Sequence, residues 1–389
     1  MYFIVGALII ALSASVVSIK TLLGYVKIRP AYKIAASVLI VWGWFAPLIA
    51  GLFVKEGSLF RHASSGGVFA GFFLFGLVFL IFVLLMARDF VWFSTYLIAK
   101  AFKKANPKYH PKNPESYPLL NKTNVAVVVC AFLTAFFGLY EGVRVPPVKT
   151  VEFHTDKFDG EAKFVLLTDL HLNRFYSFEK LEKIVRKTNA LNPDAVFLAG
   201  DVFDDSIEKM RPFFKILQKL KSENGVYMVW GNHEHYKGIT AYRKEIESFG
   251  IDVLQNEGLR VDGKKPIYVA GTDFPGGENG LKKSVQSSVA EEYRILLAHH
   301  PLVFDKAAAF NVDLQLSGHT HGGQIFPFHF LAMRANKYLA GVYRNENSTL
   351  YVSRGSGLWG PPLRLFAPSE ITQIVVRGRK KDASLPSPR

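Results

Sequence analysis

Phe164-Val165-Leu166-Leu167-Thr168-Asp169-Leu170-His171 is an apolar run that ends in two potential metal ligands. Four later stretches repeat this arrangement, each with a short apolar run followed directly by polar residues: Ala195–Asp201, Val226–Glu234, Ile295–Pro301 and Leu314–His321. Short apolar runs without alternation are typical of strands that are buried on both faces. The polar residues would then lie at the carboxyl ends of the strands, where open α/β sheets bind their ligands.

Segments with helical periodicity separate the first three runs. Ser177–Leu191 has apolar residues three and four positions apart, and Ser177 suits the N-cap position. Ser206–Lys221 has the same spacing. Alternating strands and helices predict the α/β class for this part of the chain.

Seven polar residues at the strand ends are candidate metal ligands: Asp169, His171, Asp201, Asn232, His299, His319 and His321. Their side chains suit divalent Mn, Fe or Zn. Asp169 and His171 are two positions apart, which places both on one side of an extended chain. Gly231 directly precedes Asn232 and allows close approach of the backbone. Seven ligands exceed the needs of one ion but suit two ions about 3.5–4 Å apart with a bridging carboxylate.

The order of these motifs resembles that of the calcineurin-like metallophosphoesterases. The motifs that carry the resemblance are Asp169-Leu-His171, Gly200-Asp201, Gly231-Asn232-His233-Glu234, His299 and Gly318-His319-Thr-His321. The resemblance covers about residues 160–377. It implies a four-layer αββα sandwich, with two mixed sheets between outer helices, and a metal-dependent hydrolase of phosphoric esters.

The resemblance also implies a role for each matching residue. Asp169, His171 and His321 resemble the ligands of a first metal ion. Asn232, His299 and His319 resemble those of a second ion, and Asp201 resembles the bridge. His299 is preferred to His300 because the family's ligand stands two residues before a proline. His233 resembles the catalytic residue that contacts the scissile phosphate and protonates the leaving oxygen, so we expect direct attack by metal-activated water.

Four further residues are candidates for binding substrate: Arg174, His235, Arg354 and Arg364. Arginine can grip phosphate with two hydrogen bonds, although ordinary surface or ion-pair roles fit these arginines equally well. The segment Trp359–Arg364 and the Gly322-Gly323-Gln324 motif resemble bacterial membrane-linked phosphoesterases. Some members of that branch hydrolyse UDP-2,3-diacylglucosamine.

Four apolar stretches near the N-terminus predict transmembrane helices: Tyr2–Ile19, Ile34–Val54, Val68–Met86 and Val125–Tyr140. A span needs roughly 17–25 residues, so the first and last are near the lower limit. No basic residue precedes the first run, which favours an uncleaved helix over a signal peptide. We therefore expect a four-helix membrane bundle over residues 1–144, a catalytic domain over 145–377 and a disordered basic tail over 378–389.

The charge distribution predicts the orientation in the membrane. Residues 1–140 carry 13 Lys and Arg but 3 Asp and Glu, and the rest of the chain carries 34 and 29. Ten of the basic residues lie in the loops that follow the first and third apolar stretches, and two lie in the loop that follows the second. The positive-inside rule then places the catalytic domain outside the cytoplasm, in a multi-pass protein of the cell membrane. Without a basic-aromatic strip in that domain, no nucleic-acid partner is expected.

The expected partners are the lipid bilayer and a phosphorylated, lipid-linked substrate with a phosphodiester, phosphomonoester or pyrophosphate bond. A soluble nucleotide or phosphoester is the alternative substrate. A non-catalytic metal sensor or scaffold is a different class of function, which the complete ligand set and His233 disfavour. Transport is a third class, and Arg88–Asp89 is the polar pair that suggests it.

Overall fold

The structure, a computed structural model, describes residues 2–24, 26, 28–54, 65–105, 118–173, 176–236, 238, 242–261, 265–345 and 347–378. The chain divides into two compact units. The helical unit comprises Met1–Tyr140 and Gly360–Leu363, and the catalytic unit comprises Glu141–Trp359 and Arg364–Arg389. Most of the predicted basic tail, residues 379–389, lies outside the described residues.

Long apolar helices form the helical unit. They are α1 (Tyr2–Leu23), α2 (Pro30–Val54), α3 (Ser65–Ala105) and α4 (Pro118–Val143). Each contains a stretch of 20 to 37 residues that is long and apolar enough to cross a membrane. The four predicted stretches are thus confirmed as long apolar helices. The first and last, which looked short in the sequence, lie in helices of 22 and 26 residues.

The pair Arg88–Asp89 belongs to a hydrogen-bonded network inside the helical unit. Arg88 Nε donates to Asp89 Oδ1 at 2.8 Å, and Arg88 Nη1 donates to the side-chain oxygen of Asn124. Asn124 in turn donates to the carbonyl of Leu22 at 2.9 Å. Because polar groups in apolar surroundings require partners, this network connects α1, α3 and α4 and gives the pair a structural role.

Twelve strands in the described part of the catalytic unit form two six-stranded sheets. The first sheet has the order β1-β12-β2-β3-β4-β5, with β1 (Val148–Thr155), β2 (Glu161–Leu167), β3 (Ala195–Ala199), β4 (Val226–Val229), β5 (Ile251–Val253) and β12 (Ile371–Gly378). The second has the order β10-β11-β9-β8-β7-β6, with β6 (Glu257–Val261), β7 (Ile267–Gly271), β8 (Tyr293–Leu297), β9 (Leu314–Ser317), β10 (Gly341–Asn345) and β11 (Ser348–Val352). Both sheets are mixed, since β12–β2, β6–β7 and β10–β11 are antiparallel pairs among parallel ones.

Helices cover the outer faces of both sheets. The helices of this unit are α5 (Phe178–Asn189), α6 (Ile207–Leu217), α7 (Asn232–His235), α8 (Arg243–Ser248), α9 (Glu278–Val285), α10 (Phe304–Ala307) and α11 (Phe328–Asn336). Leu181, Phe214 and Ile246 of α5, α6 and α8 share a core with the first sheet. Leu281 and Ala307 of α9 and α10 share one with the second sheet.

A third core lies between the two sheets. It includes Phe164 and Phe197 from the first sheet and Leu297 and Leu316 from the second, all fully buried. The order helix, sheet, sheet, helix confirms the predicted four-layer sandwich. The five apolar runs of the sequence are β2, β3 and β4, which are parallel neighbours, and β8 and β9, which form another parallel pair.

Candidate metal centre

Tight turns after five strands carry the candidate ligands. Asp169 and His171 follow β2, Asp201 follows β3, Asn232 follows β4, His299 follows β8, and His319 and His321 follow β9. Five of these seven, Asp169, His171, Asp201, His319 and His321, have φ between 49° and 72°. Residues other than glycine rarely adopt this left-handed conformation, and such strain is concentrated at functional sites.

Two glycines leave room for the carboxylates. A Cβ atom at Gly231 would collide with Asp201 Oδ1, and one at Gly318 would collide with Asp169 Oδ2. Backbone amides then hold the same carboxylates, since His233 N–H donates to Asp201 Oδ1 at 2.9 Å and His319 N–H donates to Asp169 Oδ1 at 3.0 Å. The missing side chains therefore let neighbouring turns approach the two aspartates.

The side chains converge in three overlapping groups, in each of which the ligand atoms lie within 4.8 Å of one another. The groups are Asp169, His171 and His321; His171, Asp201 and His233; and Asp201, His299 and His319. Asp201 Oδ2 lies 3.8 Å from His171 Nε2 and 3.2 Å from His299 Nε2. The carboxylate of Asp201 thus lies between His171, a member of the first group, and His299, a member of the third.

The geometry and chemistry of these groups fit divalent metal ions. Nitrogen ligands bind zinc at about 2.0–2.1 Å, so two ligand atoms of one ion are separated by about 3–4 Å. His171 Nε2 and His321 Nε2 are 3.0 Å apart, and His319 Nδ1 and Asn232 Oδ1 are also 3.0 Å apart. His299 Nε2 is buried without a hydrogen-bond partner, although it lies close to Asp201. A bound cation would satisfy this buried nitrogen.

The electrostatics of the centre also favour cations. Burial alone would lower the pKa of His299, but Asp201 and Asp169 outweigh burial and raise it to about 10. Burial likewise opposes the shift at His171, whose pKa is raised to about 9 by Asp204 and Asp201. The carboxylates thus hold positive charge on His171 and His299, whereas burial and the neighbouring cations lower the pKa of His319 and His321. Metal ions that bind here would displace the protons of the first pair.

His171 and His233 share the carboxylate of Asp204. Asp204 Oδ1 lies 2.8 Å from His171 Nδ1 and 2.7 Å from His233 Nδ1. Burial would raise the pKa of Asp204, but His171 and His233 hold it well below its usual range. The two Nδ1–H groups donate to this carboxylate, which directs both Nε2 atoms towards Asp201, at 3.8 and 3.9 Å from Oδ2.

Asp204 is not among the site residues predicted from the sequence. Its position three residues after Asp201 is the available signal, but nothing in the local sequence shows that one carboxylate reaches two imidazole rings.

Glu234 connects the turns after β3 and β4. Its buried carboxylate accepts hydrogen bonds from the backbone amides of Gly231 at 2.7 Å, Asp201 at 3.1 Å, Val202 at 2.6 Å and Phe203 at 3.1 Å. Four amide donors on one buried carboxylate fix the path of the Asp201 turn.

The four candidate substrate-binding residues are placed differently from one another. Arg174 lies outside the described residues. Arg364 is buried, where its guanidinium donates to the carbonyls of Gly357 and Ala367 at 2.8 Å and Nη2 lies 3.3 Å from His321 Nδ1. These contacts place Arg364 beside His321, and its role in binding phosphate stays a prediction.

His235 and Arg354 are partly exposed and already have carboxylate partners. His235 Nε2 lies 2.7 Å from Asp273 Oδ1, and Arg354 Nη1 lies 3.3 Å from Glu370 Oε2. Trp359 contacts His233, the candidate catalytic residue. The two rings pack edge-to-face at 6.2 Å between centroids. The sequence singled out Trp359 only as part of a motif.

The chain is similar to several known proteins. The profile of the calcineurin-like phosphoesterase family matches residues 162–323. A metallophosphoesterase of Helicobacter pylori is 35% identical over 309 residues, which cover 76% of this chain and 82% of that protein. A transmembrane protein with a metallophosphoesterase domain from Danio rerio is 34% identical over 275 residues, which cover 66% of this chain and 63% of that protein. The crystal structure of a dimetal phosphatase from Danio rerio gives a weak match, with a TM-score of 0.30 and 12% identity over 54% of this chain and 90% of that one.

Proposed function

We propose a function on the premise that this chain belongs to the calcineurin-like metallophosphoesterases and is a metal-dependent hydrolase of phosphoric esters in a membrane protein. It hydrolyses a phosphodiester, phosphomonoester or pyrophosphate bond of a membrane-associated substrate, and its two metal ions are Mn, Fe or Zn. The observation that carries this proposal is the carboxylate of Asp201, which belongs to two groups of ligand atoms.

The ligand groups support a division between two ions. Asp169, His171 and His321 would hold the first ion, and Asp201 would bridge to the second. The second ion would also take Asn232, His299 and His319, of which the two histidines share a group with Asp201. Carboxylate, imidazole and amide donors of this kind are typical of transition-metal sites rather than of calcium sites.

His233 has the surroundings of a general acid. The two bound ions would supply the positive charge that binds phosphoryl oxygens and activates a water molecule for attack on phosphorus. His233 lies at the open side of the centre, with 19% of its side chain exposed and Nδ1 held by Asp204. The carboxylate fixes the ring through Nδ1, which leaves Nε2 to donate a proton to the leaving oxygen.

The membrane part of the proposal rests on the helical unit and on its charges. Four residues connect α4, which ends at Val143, to β1, which begins at Val148. Ten basic residues flank the first and third loops against two in the second, which supports a multi-pass protein with its catalytic unit outside the cytoplasm. A cytoplasmic nucleotide-linked lipid would then be out of reach. UDP-2,3-diacylglucosamine therefore ranks below a membrane-associated phosphoester in general.

A paired substrate screen tests this proposal. The full-length protein in lipid nanodiscs is assayed with Mn²⁺, Fe²⁺ or Zn²⁺ against monoesters, diesters and pyrophosphates, each with and without an acyl chain. The His233→Ala variant is the control. We expect metal-dependent hydrolysis and at least one pair in which the acylated member has a higher kcat/KM, by about tenfold or more. A preference for the soluble member of every pair would contradict the membrane-associated substrate. Hydrolysis of no ester with any of the three metals would favour the sensor or scaffold.

A further inference from the structure

Helix α11 presents large apolar side chains to solvent. Phe328, Phe330, Leu331 and Met333 are 48%, 61%, 65% and 48% exposed, whereas Ala332 is buried. A helix on the surface of a soluble domain ordinarily turns its apolar residues towards the core. Packing within the catalytic unit therefore does not explain why these exposed positions of α11 carry large apolar side chains.

Two further phenylalanines extend this surface. The ring of Phe326 contacts those of Phe330 and Phe366 edge-to-face, at 5.8 Å between centroids in both pairs. Phe366 is 80% exposed and has a φ of 60°, a conformation that bulky residues rarely adopt. We call Phe326, Phe328, Phe330, Leu331, Met333 and Phe366 the apolar patch. Exposed apolar surface of this extent marks an interaction site.

The charge of the patch favours anionic lipid as its partner. Residues 326–337 contain Arg334 and Lys337 but no Asp or Glu, and Lys337 pairs with Asp305 from outside this segment at 2.7 Å. Arg334 is exposed on α11 beside the apolar side chains, where it could reach a headgroup phosphate. Apolar side chains combined with basic ones are typical of helices that lie in the interface of a bilayer.

The course of the chain favours the same partner. The helical unit includes Gly360–Leu363, so the chain runs from that unit to Phe366 in three residues. Trp359, which directly precedes that segment, is 53% exposed. Tryptophan is enriched where proteins meet the membrane interface. Phe366 of the apolar patch thus lies a few residues along the chain from a short segment that belongs to the helical unit.

We propose that the apolar patch embeds in the headgroup region of the bilayer. Helix α11 begins seven residues after His321, a candidate metal ligand, so the patch and the metal centre are built on one segment. Embedding the patch would place the metal centre beside lipid headgroups and select substrates that reside there. The inference deepens the proposed function and rests on it only for the membrane-associated substrate.

Site-directed spin labelling of the full chain tests the patch. The single cysteine, Cys130, is replaced by alanine, and single cysteines are introduced at Phe330, Leu331 and Phe366. Val289 is the matched control, because it is apolar and 48% exposed but precedes β8, at the opposite end of that strand from His299. Nitroxide-labelled proteins in anionic nanodiscs, with one chain per disc, are then probed with oxygen, which partitions into lipid, and with a water-soluble nickel chelate.

We expect oxygen to collide more often than the nickel chelate with labels at the three patch positions, and the reverse at Val289. Nickel accessibility at the patch equal to that at Val289 would overturn the proposal. The same labelled proteins are also placed in anionic liposomes, where spin–spin broadening that grows with the protein-to-lipid ratio, with shielding from both reagents, would show a second copy on the patch and would also overturn the proposal. Hydrolysis of a phosphomonoester, a phosphodiester and a pyrophosphate is measured for each labelled protein. An active enzyme with water-exposed labels therefore contradicts the patch alone, and an inactive wild type contradicts the proposed function alone.

Discussion

His233 is partly exposed at the centre, and the carboxylate of Asp204, which also contacts the candidate ligand His171, holds its ring. We expect His233→Ala to lower kcat by roughly 10²–10⁴, the range of general acid–base groups, and to leave the metal content unchanged. The loss should be smaller for p-nitrophenyl esters, whose leaving group needs little protonation. His154→Ala is the control, since His154 is an exposed histidine of β1 and is not among the candidate site residues. An equal loss with all leaving groups would instead assign His233 to phosphate binding.

Asp204 provides a second prediction for a single residue. Asp204→Asn removes the charge that orients His233 and His171, so we expect activity to fall by roughly 10–100-fold, as for other partners of metal-binding histidines. The same change in a His233→Ala background should have a smaller effect, because part of its role is already lost. Asp205→Asn is the control, as it alters a neighbouring carboxylate that pairs with Lys209. Full additivity of the two changes in steady-state kinetics would contradict this coupling.

The candidate metal ligands that the sequence identified share one property, which is their position at the end of an apolar run. Asp169 and Asn232 could be found in this way because the pattern of the strand is local. The contacts of Asp204 and Arg364 could not be inferred from the sequence, because they join residues that are far apart in the chain. Burial separates Arg364 from the exposed arginines, and a single sequence does not show which arginine is buried.

At the level of elements, the turn after β3 depends on Glu234 from α7. Glu234→Gln replaces an acceptor of four backbone amides by a neutral group that also donates, and hydrogen bonds to a charged group are worth about 1.5–3 kcal/mol each. We expect the amides of Asp201, Val202 and Phe203 to exchange hydrogen faster, as measured by mass spectrometry on the full chain. Glu245→Gln serves as the control, since Glu245 forms an exposed pair with Arg211. Unchanged protection of the Asp201 turn would refute this role.

The sequence predicted the strands near the site better than the order of the sheets. The runs that became β2, β3, β4, β8 and β9 are short, apolar and followed by ligands, so their type and edge could be inferred. The position of β12 could not, because this strand comes last in the chain yet lies between β1 and β2. Pairing over such sequence distances is decided by tertiary packing rather than by local pattern.

For the whole molecule, the distribution of Lys and Arg predicts which side of the membrane the catalytic unit occupies. Alkaline phosphatase fused after Arg144 should be active, and the same enzyme fused within residues 103–122 should be inactive, because that enzyme folds only outside the cytoplasm. The paired fusions control for each other's expression. The reverse pattern would place the catalytic unit in the cytoplasm and make UDP-2,3-diacylglucosamine an accessible substrate.

The central claim is that one carboxylate, that of Asp201, joins two metal ions in a single hydrolytic centre. Metal analysis of the purified full-length protein and of Asp201→Asn tests it most directly. We expect close to two equivalents of Mn, Fe or Zn in the wild type, and the loss of both, together with esterase activity, in the variant. A wild type that binds no transition metal and does not respond to added Mn²⁺, or a variant that retains two equivalents, would contradict the claim.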